Sequence, residues 1–174
     1  MNNDLYVRHA TAGDAPAIAA IYNQGIEDRC ATFETELRDA SDIVAMLRER
    51  GARYPTIVVE RAGNVVAWAA ASAYSSRPCY AGIAEFSVYV ERSARGSGSG
   101  RAAMEGLLKA AEERGSWKLV SRVFPENTAS LSLLAKLGFS QIGVHRRHSR
   151  LDGVWKDCVI VERLLGAALE NPAG

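Results

Sequence analysis

Apolar and polar residues change their spacing several times along the chain, and each change marks an element. Leu5-Tyr6-Val7-Arg8-His9 reads as a short strand. Thr11 with Asp14 three positions on is a capping box that predicts a helix start, and Ala15, Ile18, Ile21 and Tyr22 then recur at helical spacing up to Gly25, read as the stop. From Ile26 to Leu37 the period is lost, which makes a loop of about a dozen residues, a length that in compact domains tends to carry function. A second helix is expected from about Asp39 to Arg50, with Ile43, Met46 and Leu47 on its apolar side and Gly51 at its end.

Thr56-Ile57-Val58-Val59 and Val65-Val66-Ala67-Trp68-Ala69 flank the turn Arg61-Ala62-Gly63-Asn64 and predict a β-hairpin. Ser75 to Gly82 interrupts before the strand Glu85-Phe86-Ser87-Val88-Tyr89-Val90, and the pattern from Gly98 to Arg114 is helical, closed by Gly115. Lys118 to Val123 reads as a strand ending near Pro125, and Asn127 opens a helix in which Leu131, Leu134 and Leu137 recur before the cap Gly138. Two last strands, near Gln141 to Arg146 and Trp155 to Arg163, surround a polar turn with Asp152-Gly153, and from Gly166 a frayed tail is expected. The result is a single mixed α/β domain over residues 1–165, with 166–174 as tail.

Composition narrows the classes. A chain of 174 residues hides enough surface for one core, and 48% hydrophobic with 24% charged residues is ordinary for a globular protein. A net charge of +1 gives no general attraction to nucleic acid, so any anion site must be local. The start Met1-Asn2-Asn3-Asp4 has no basic or apolar leader region and no apolar run spans a membrane, so a cytoplasmic protein is expected. Cys30, Cys79 and Cys158 are widely spaced, and His9, His145 and His148 lack ligand spacing, which argues for free thiols and no metal.

The informative chemistry lies in Arg95-Gly96-Ser97-Gly98-Ser99-Gly100-Arg101, between a strand and a helix. Glycines allow a tight turn with exposed amides, and a helix start offers unpaired N–H groups and the positive end of its dipole, so the junction suits a phosphate. A nucleotide P-loop needs Gly-Lys-Ser/Thr, but Arg101 and Ala102 follow the last glycine. A dinucleotide fingerprint needs a different glycine spacing and an acidic residue at the next strand, which begins with Lys118. The remaining pattern, Arg-x-x-Gly-x-Gly on Arg95, Gly98 and Gly100, resembles the coenzyme-A loop of the GNAT superfamily of N-acetyltransferases. Asn127, Ser130, Leu137, Gly138 and Phe139 resemble that family's later helix motif.

The resemblance implies a GNAT fold, a mostly antiparallel central sheet with a splayed parallel pair flanked by about four helices. It implies acetyl-CoA as co-substrate, with backbone of Val88, Tyr89 and Val90 for the pantetheine arm. Arg95, Gly96, Ser97, Gly98, Ser99, Gly100 and Arg101 would surround the diphosphate, and Asn127 and Ser130 would sit beside the pantetheine, where helix capping equally explains them. Ile21-Tyr22-Asn23, Thr32-Phe33-Glu34, Arg77-x-x-Tyr80, Ser87-Val88-Tyr89-Val90 and Gly153-x-Trp155-Lys156-Asp157 are similar to the phosphinothricin and arsinothricin branch, which acetylates α-amines of small amino acids. On that likeness Glu85 is the base, and Phe33, Glu34, Arg77 and Tyr80 contact the acceptor, against the plainer readings of Glu85 as a partner for Arg77 and of Phe33 as core. Leu134 stands where many relatives place a tyrosine acid, and a thiolate of pKa near about 8.5 can leave without one. Direct attack in a ternary complex needs no cysteine nucleophile. The branch implies a homodimer and a small-molecule acceptor, and the run His145 to Arg150 reads as a solvated face. A peptide N-terminus or polyamine acceptor, and a non-catalytic CoA-binding module, are the alternatives.

Overall fold

A computed structural model describes residues 5–170; the expectations for Met1 to Asp4 and for the tail beyond Glu170 fall outside them. The strands are β1 (Leu5–His9), β2 (Thr56–Arg61), β3 (Asn64–Ala73), β4 (Ile83–Val90), β5 (Lys118–Val123), β6 (Ser140–Leu151) and β7 (Val154–Leu164). The helices are α1 (Ala15–Glu27), α2 (Ala40–Arg50), α3 (Ser99–Glu113), α4 (Thr128–Lys136) and a single turn α5 (Ala167–Glu170), which stands where a frayed tail is expected.

Local chemistry sets most boundaries. The Thr11 box forms, with Asp14 Oδ2 accepting from Thr11 N at 2.7 Å, and a short 3-10 turn leads into α1. At α2, Asp39 Oδ1 accepts from Asp42 N at 3.0 Å, and Gly51 leaves the helix at φ 55. Ala62 and Gly63, at φ 48 and 78, make the two-residue turn that the β2–β3 twist favours. Gly25, in contrast, does not stop α1. It lies inside the helix, where a Cβ would sit 2.7 Å from the Tyr89 ring, so the glycine serves close approach of helix to sheet. The last hairpin is longer than its pattern suggests. β6 carries the basic run on to Leu151, with a register irregularity between His145 and Ser149 where Arg147 N donates to Asp157 Oδ1 at 2.7 Å.

The sheet runs β1-β2-β3-β4-β5-β7-β6, antiparallel except for β4 beside β5. That parallel pair holds for three positions, Ile83–Lys118, Ala84–Leu119 and Glu85–Val120; beyond Glu85 the strands separate while β5 stays paired with β7 to Val123. Alternation puts Ile57, Val59, Ala69 and Phe86 against α3 and α4, with Met104, Leu107 and Leu134. Val58, Trp68 and Ala70 face α1 and α2 through Ile18, Ile21 and Ile43. A smaller cluster joins Phe124, Leu151 and Cys158 to Phe33 of the α1–α2 loop.

Arg8 of β1 fastens the α1 cap to the sheet. Its guanidinium donates to both Asp14 oxygens at 2.7 Å and pairs with Glu60 of β2. The hydrogen bond from Arg8, outweighing burial, holds the Asp14 carboxyl at about 2. Because this folded value lies below the unfolded one, the pairing stabilises above pH about 4 and is lost as pH falls through 2, a contribution of about 2 kcal/mol. Asp14→Asn should therefore lower the melting temperature at pH 7 and flatten its fall between pH 5 and 2; a parallel fall in both proteins would contradict the pairing.

Candidate functional site

The glycine loop forms as a chain of caps. After β4, Glu91 Oε2 accepts from Ser93 N at 2.9 Å, a short turn follows, and Gly96 and Gly98 take left-handed φ of 75 and 87. Ala102 N donates to Gly98 O at 3.0 Å, closing the first turn of α3, so the amides of Ser99, Gly100 and Arg101 precede the first intrahelical bond. Gly100 has ordinary helical φ, but a Cβ there would lie 3.0 Å from Val90 Cγ2 and 3.4 Å from Leu133 Cδ2. Its missing side chain lets the start of α3 lie close to β4 and α4 without filling the space between them.

Between them opens a cleft of about 570 Å³. Val88, Tyr89 and Val90 line one wall, Arg95, Gly96, Gly98, Gly100 and Arg101 the end, and Asn127 and Ser130 the α4 side. Past Glu85 the β5-facing edge of β4 has no strand beside it; Ser121 Oγ donates to Phe86 O at 2.9 Å at the point of divergence. Asn127 is also a helix cap, its Oδ1 accepting from Ser130 N at 3.2 Å. Ser97 and Ser99 do not line the cleft. Ser99 is fully buried, and both hydroxyls accept from Arg61 Nη2, at 2.8 and 3.3 Å.

The charges at the cleft are only partly those the sequence motif marks. Asp28, just past α1, lines it and accepts from Arg95 at 2.6 Å and Arg92 at 2.7 Å. The hydrogen bond from Arg92, then that from Arg95, holds the Asp28 carboxyl below its usual range. Lys136, the last residue of α4, lines it too. Neither has a motif around it; what brings Asp28 here is the length of α1, and what brings Lys136 here is the helix start at Thr128.

The other face of β4 carries Glu85 and Tyr89, opposite Ser72 and Trp68 of β3. Glu85 stands at the last β4–β5 pair, half-buried and outside the cleft lining, and its partner is Arg122 rather than Arg77: Arg122 Nη2 donates to its two oxygens at 2.8 and 2.9 Å. Arg77 is exposed, with its guanidinium 5.5 Å over the Tyr80 ring, and Tyr80 meets Tyr74 edge-on at 5.9 Å. Both sit on the β3–β4 connection and do not reach the cleft lining. Phe33 packs edge-on against Phe124 at 4.9 Å, so its core role is real, and Glu34 pairs with Arg38 at 2.9 Å. Burial raises the Tyr22 and Tyr89 phenols, and Leu134 is buried in the core. Among the described residues no group of three or more His, Cys, Asp or Glu is placed to hold a metal, and no helix is long and apolar enough to cross a membrane.

The chain is similar to known proteins in sequence and in fold. The sequence profile described as Acetyltransferase (GNAT) family matches residues 19–139. Phosphinothricin N-acetyltransferase of Alcaligenes faecalis is 37% identical over 92% of this chain and 83% of its own. The crystal structure of a ribosomal-protein-alanine N-acetyltransferase from Brucella melitensis superposes with a TM-score of 0.88 at 32% identity, covering 92% of this chain and 99% of that one. A phosphinothricin acetyltransferase from Sinorhizobium meliloti, solved in complex with acetyl-CoA, gives 0.88 at 26% identity, covering 97% and 92%.

Proposed function

The chain belongs to the GNAT acetyltransferase family and is an N-acetyltransferase using acetyl-CoA, and from that premise we propose that it acetylates the α-amine of a small, anionic amino-acid-like acceptor such as phosphinothricin. The observation that carries the reading is the cleft itself: the opened edge of β4 leads to three unpaired α3 amides flanked by Arg95 and Arg101. A pantetheine arm needs an extended backbone edge, and a diphosphate needs amides at a helix start. The residues present fit both. When bound, acetyl-CoA supplies the acetyl group as an activated thioester.

In this reading Val88 and Val90 hold the pantetheine through backbone, Asn127 keeps its side-chain nitrogen for the same arm, and Gly96 to Arg101 hold the diphosphate. Glu85 takes the proton of the acceptor ammonium, directly or through one water, while Arg122 fixes the orientation of its carboxylate. Arg77, stacked on Tyr80, contacts the acceptor's anionic end, with Glu34 and Phe33 on the α1–α2 side. The amine attacks directly, and with Leu134 in the core the thiolate leaves without a phenol. The exposed edge strand β6, with Ile142 and Val144 outward, supports a homodimer.

A thiol-release screen with acetyl-CoA tests the reading. Phosphinothricin and methionine sulfone should release free thiol faster than polyamines or an alanine-starting peptide. The Brucella likeness favours the peptide as second reading, and preferential turnover of the peptide would establish it over the first. Cys79, exposed on the β3–β4 connection, takes no part in direct attack. Cys79→Ala should keep turnover within about twofold, and an acetylated cysteine trapped on the path would overturn direct attack.

A further inference from the structure

We propose that Arg61 is a positioning residue for acetyl-CoA, a cationic brace beneath the diphosphate loop. The inference rests on the reading of the cleft as the seat of that diphosphate. Arg61 ends β2, at the hairpin turn and far in sequence from the glycine motif. Its Nη2 donates to Ser97 Oγ at 2.8 Å, to Ser97 O at 3.4 Å and to Ser99 Oγ at 3.3 Å, while Ser97 Oγ also donates to Ala94 O and lies 3.0 Å from Ser99 Oγ. One guanidinium thus ties together the end of the turn after β4, the left-handed corner and the first residue of α3.

Its charge is as telling as its bonds. Arg8, Arg92 and Arg95 each pair with a carboxylate, but among the described residues Arg61 has no ion pair, and its Nε is buried without a partner. A guanidinium held partly out of water with no counter-charge is costly, and relief comes from an anion on the other side of the loop. Arg61 sets the amides of Ser99, Gly100 and Arg101 in place before a ligand arrives, and its positive charge adds to the N-terminal end of the α3 dipole. The serines at alternate positions of the loop are therefore there for Arg61, which explains why Ser97 and Ser99 face away from the cleft.

The test compares acetyl-CoA with acetyl-pantetheine, a donor lacking the diphosphate, in the wild type, Arg61→Met, Arg61→Lys and Ser97→Ala, each checked for folding by circular dichroism. In the wild type acetyl-CoA should have the lower KM, and equal KM values for the two donors would overturn the diphosphate seat itself. Arg61→Met should raise the KM for acetyl-CoA about tenfold, leave kcat and the acceptor KM near wild type, and leave acetyl-pantetheine unaffected. Arg61→Lys should recover part of the loss, and Ser97→Ala combined with Arg61→Met should add nothing further. An equal rise for both donors would reduce Arg61 to a structural strut and overturn the proposal, as would an unchanged KM for acetyl-CoA in a folded Arg61→Met protein.

Discussion

Glu85→Gln lowers kcat by about 10²-fold or more at neutral pH, with the affinity for acetyl-CoA unchanged, if the carboxylate at the β4–β5 divergence is the proton acceptor. The amide keeps the shape of the side chain and one acceptor oxygen toward Arg122, so the loss reports basicity rather than packing. The deficit should shrink as pH rises, because more acceptor then arrives as free amine and needs no base. Turnover of Glu85→Gln measured from pH 6 to 10 beside the wild type decides it; equal rates throughout would remove Glu85 as base. Glu85→Asp is the useful companion. It keeps a carboxylate but shortens its reach, and should fall between the two.

The second large effect is at Gly100. Gly100→Val should weaken coenzyme-A binding by about 10²-fold or more in calorimetric titration while the protein still folds, with overpacking costing about 1–3 kcal/mol of stability. The position has helical backbone, so no strain of handedness enters. The cost is space alone: the Cβ already stands 3.0 Å from Val90 Cγ2, and the added methyls must either enter the cleft or part β4 from α4. Normal binding by a folded Gly100→Val protein would mean that the seat lies elsewhere.

What could be seen in the sequence was whatever depends on near neighbours. The caps at Thr11 and Asp39, the turn at Ala62-Gly63 and the strand–glycine–helix order each involve residues a few positions apart, and each forms. Gly25 reads as a stop because a glycine that ends a helix and one that lets a ring approach look alike without the partner, and Tyr89 belongs to a distant strand. Arg122 as partner of Glu85 follows from the β4–β5 register, which puts Val120 beside Glu85 and the next same-face residue within reach. No local pattern carries a parallel register. Ser97 and Ser99 count as motif residues in the sequence, although across the left-handed corner at Gly98 both hydroxyls meet Arg61 at the end of β2. The pocket side of the loop was legible, and its supports were not.

The short seam between β4 and β5 has a bearing on how long the molecule lasts. Strands β1 to β4 form one block of antiparallel ladder and β5 to β7 another, and the backbone bonds of three residue pairs fasten them at one end. On the proposed reading, a donor lying in the opening would take the place of the missing ladder and fasten the two blocks along more of their length. Supply of the activated acetyl group would then govern two things at once, the rate of the reaction and the frequency with which the blocks part and offer their strands to proteases.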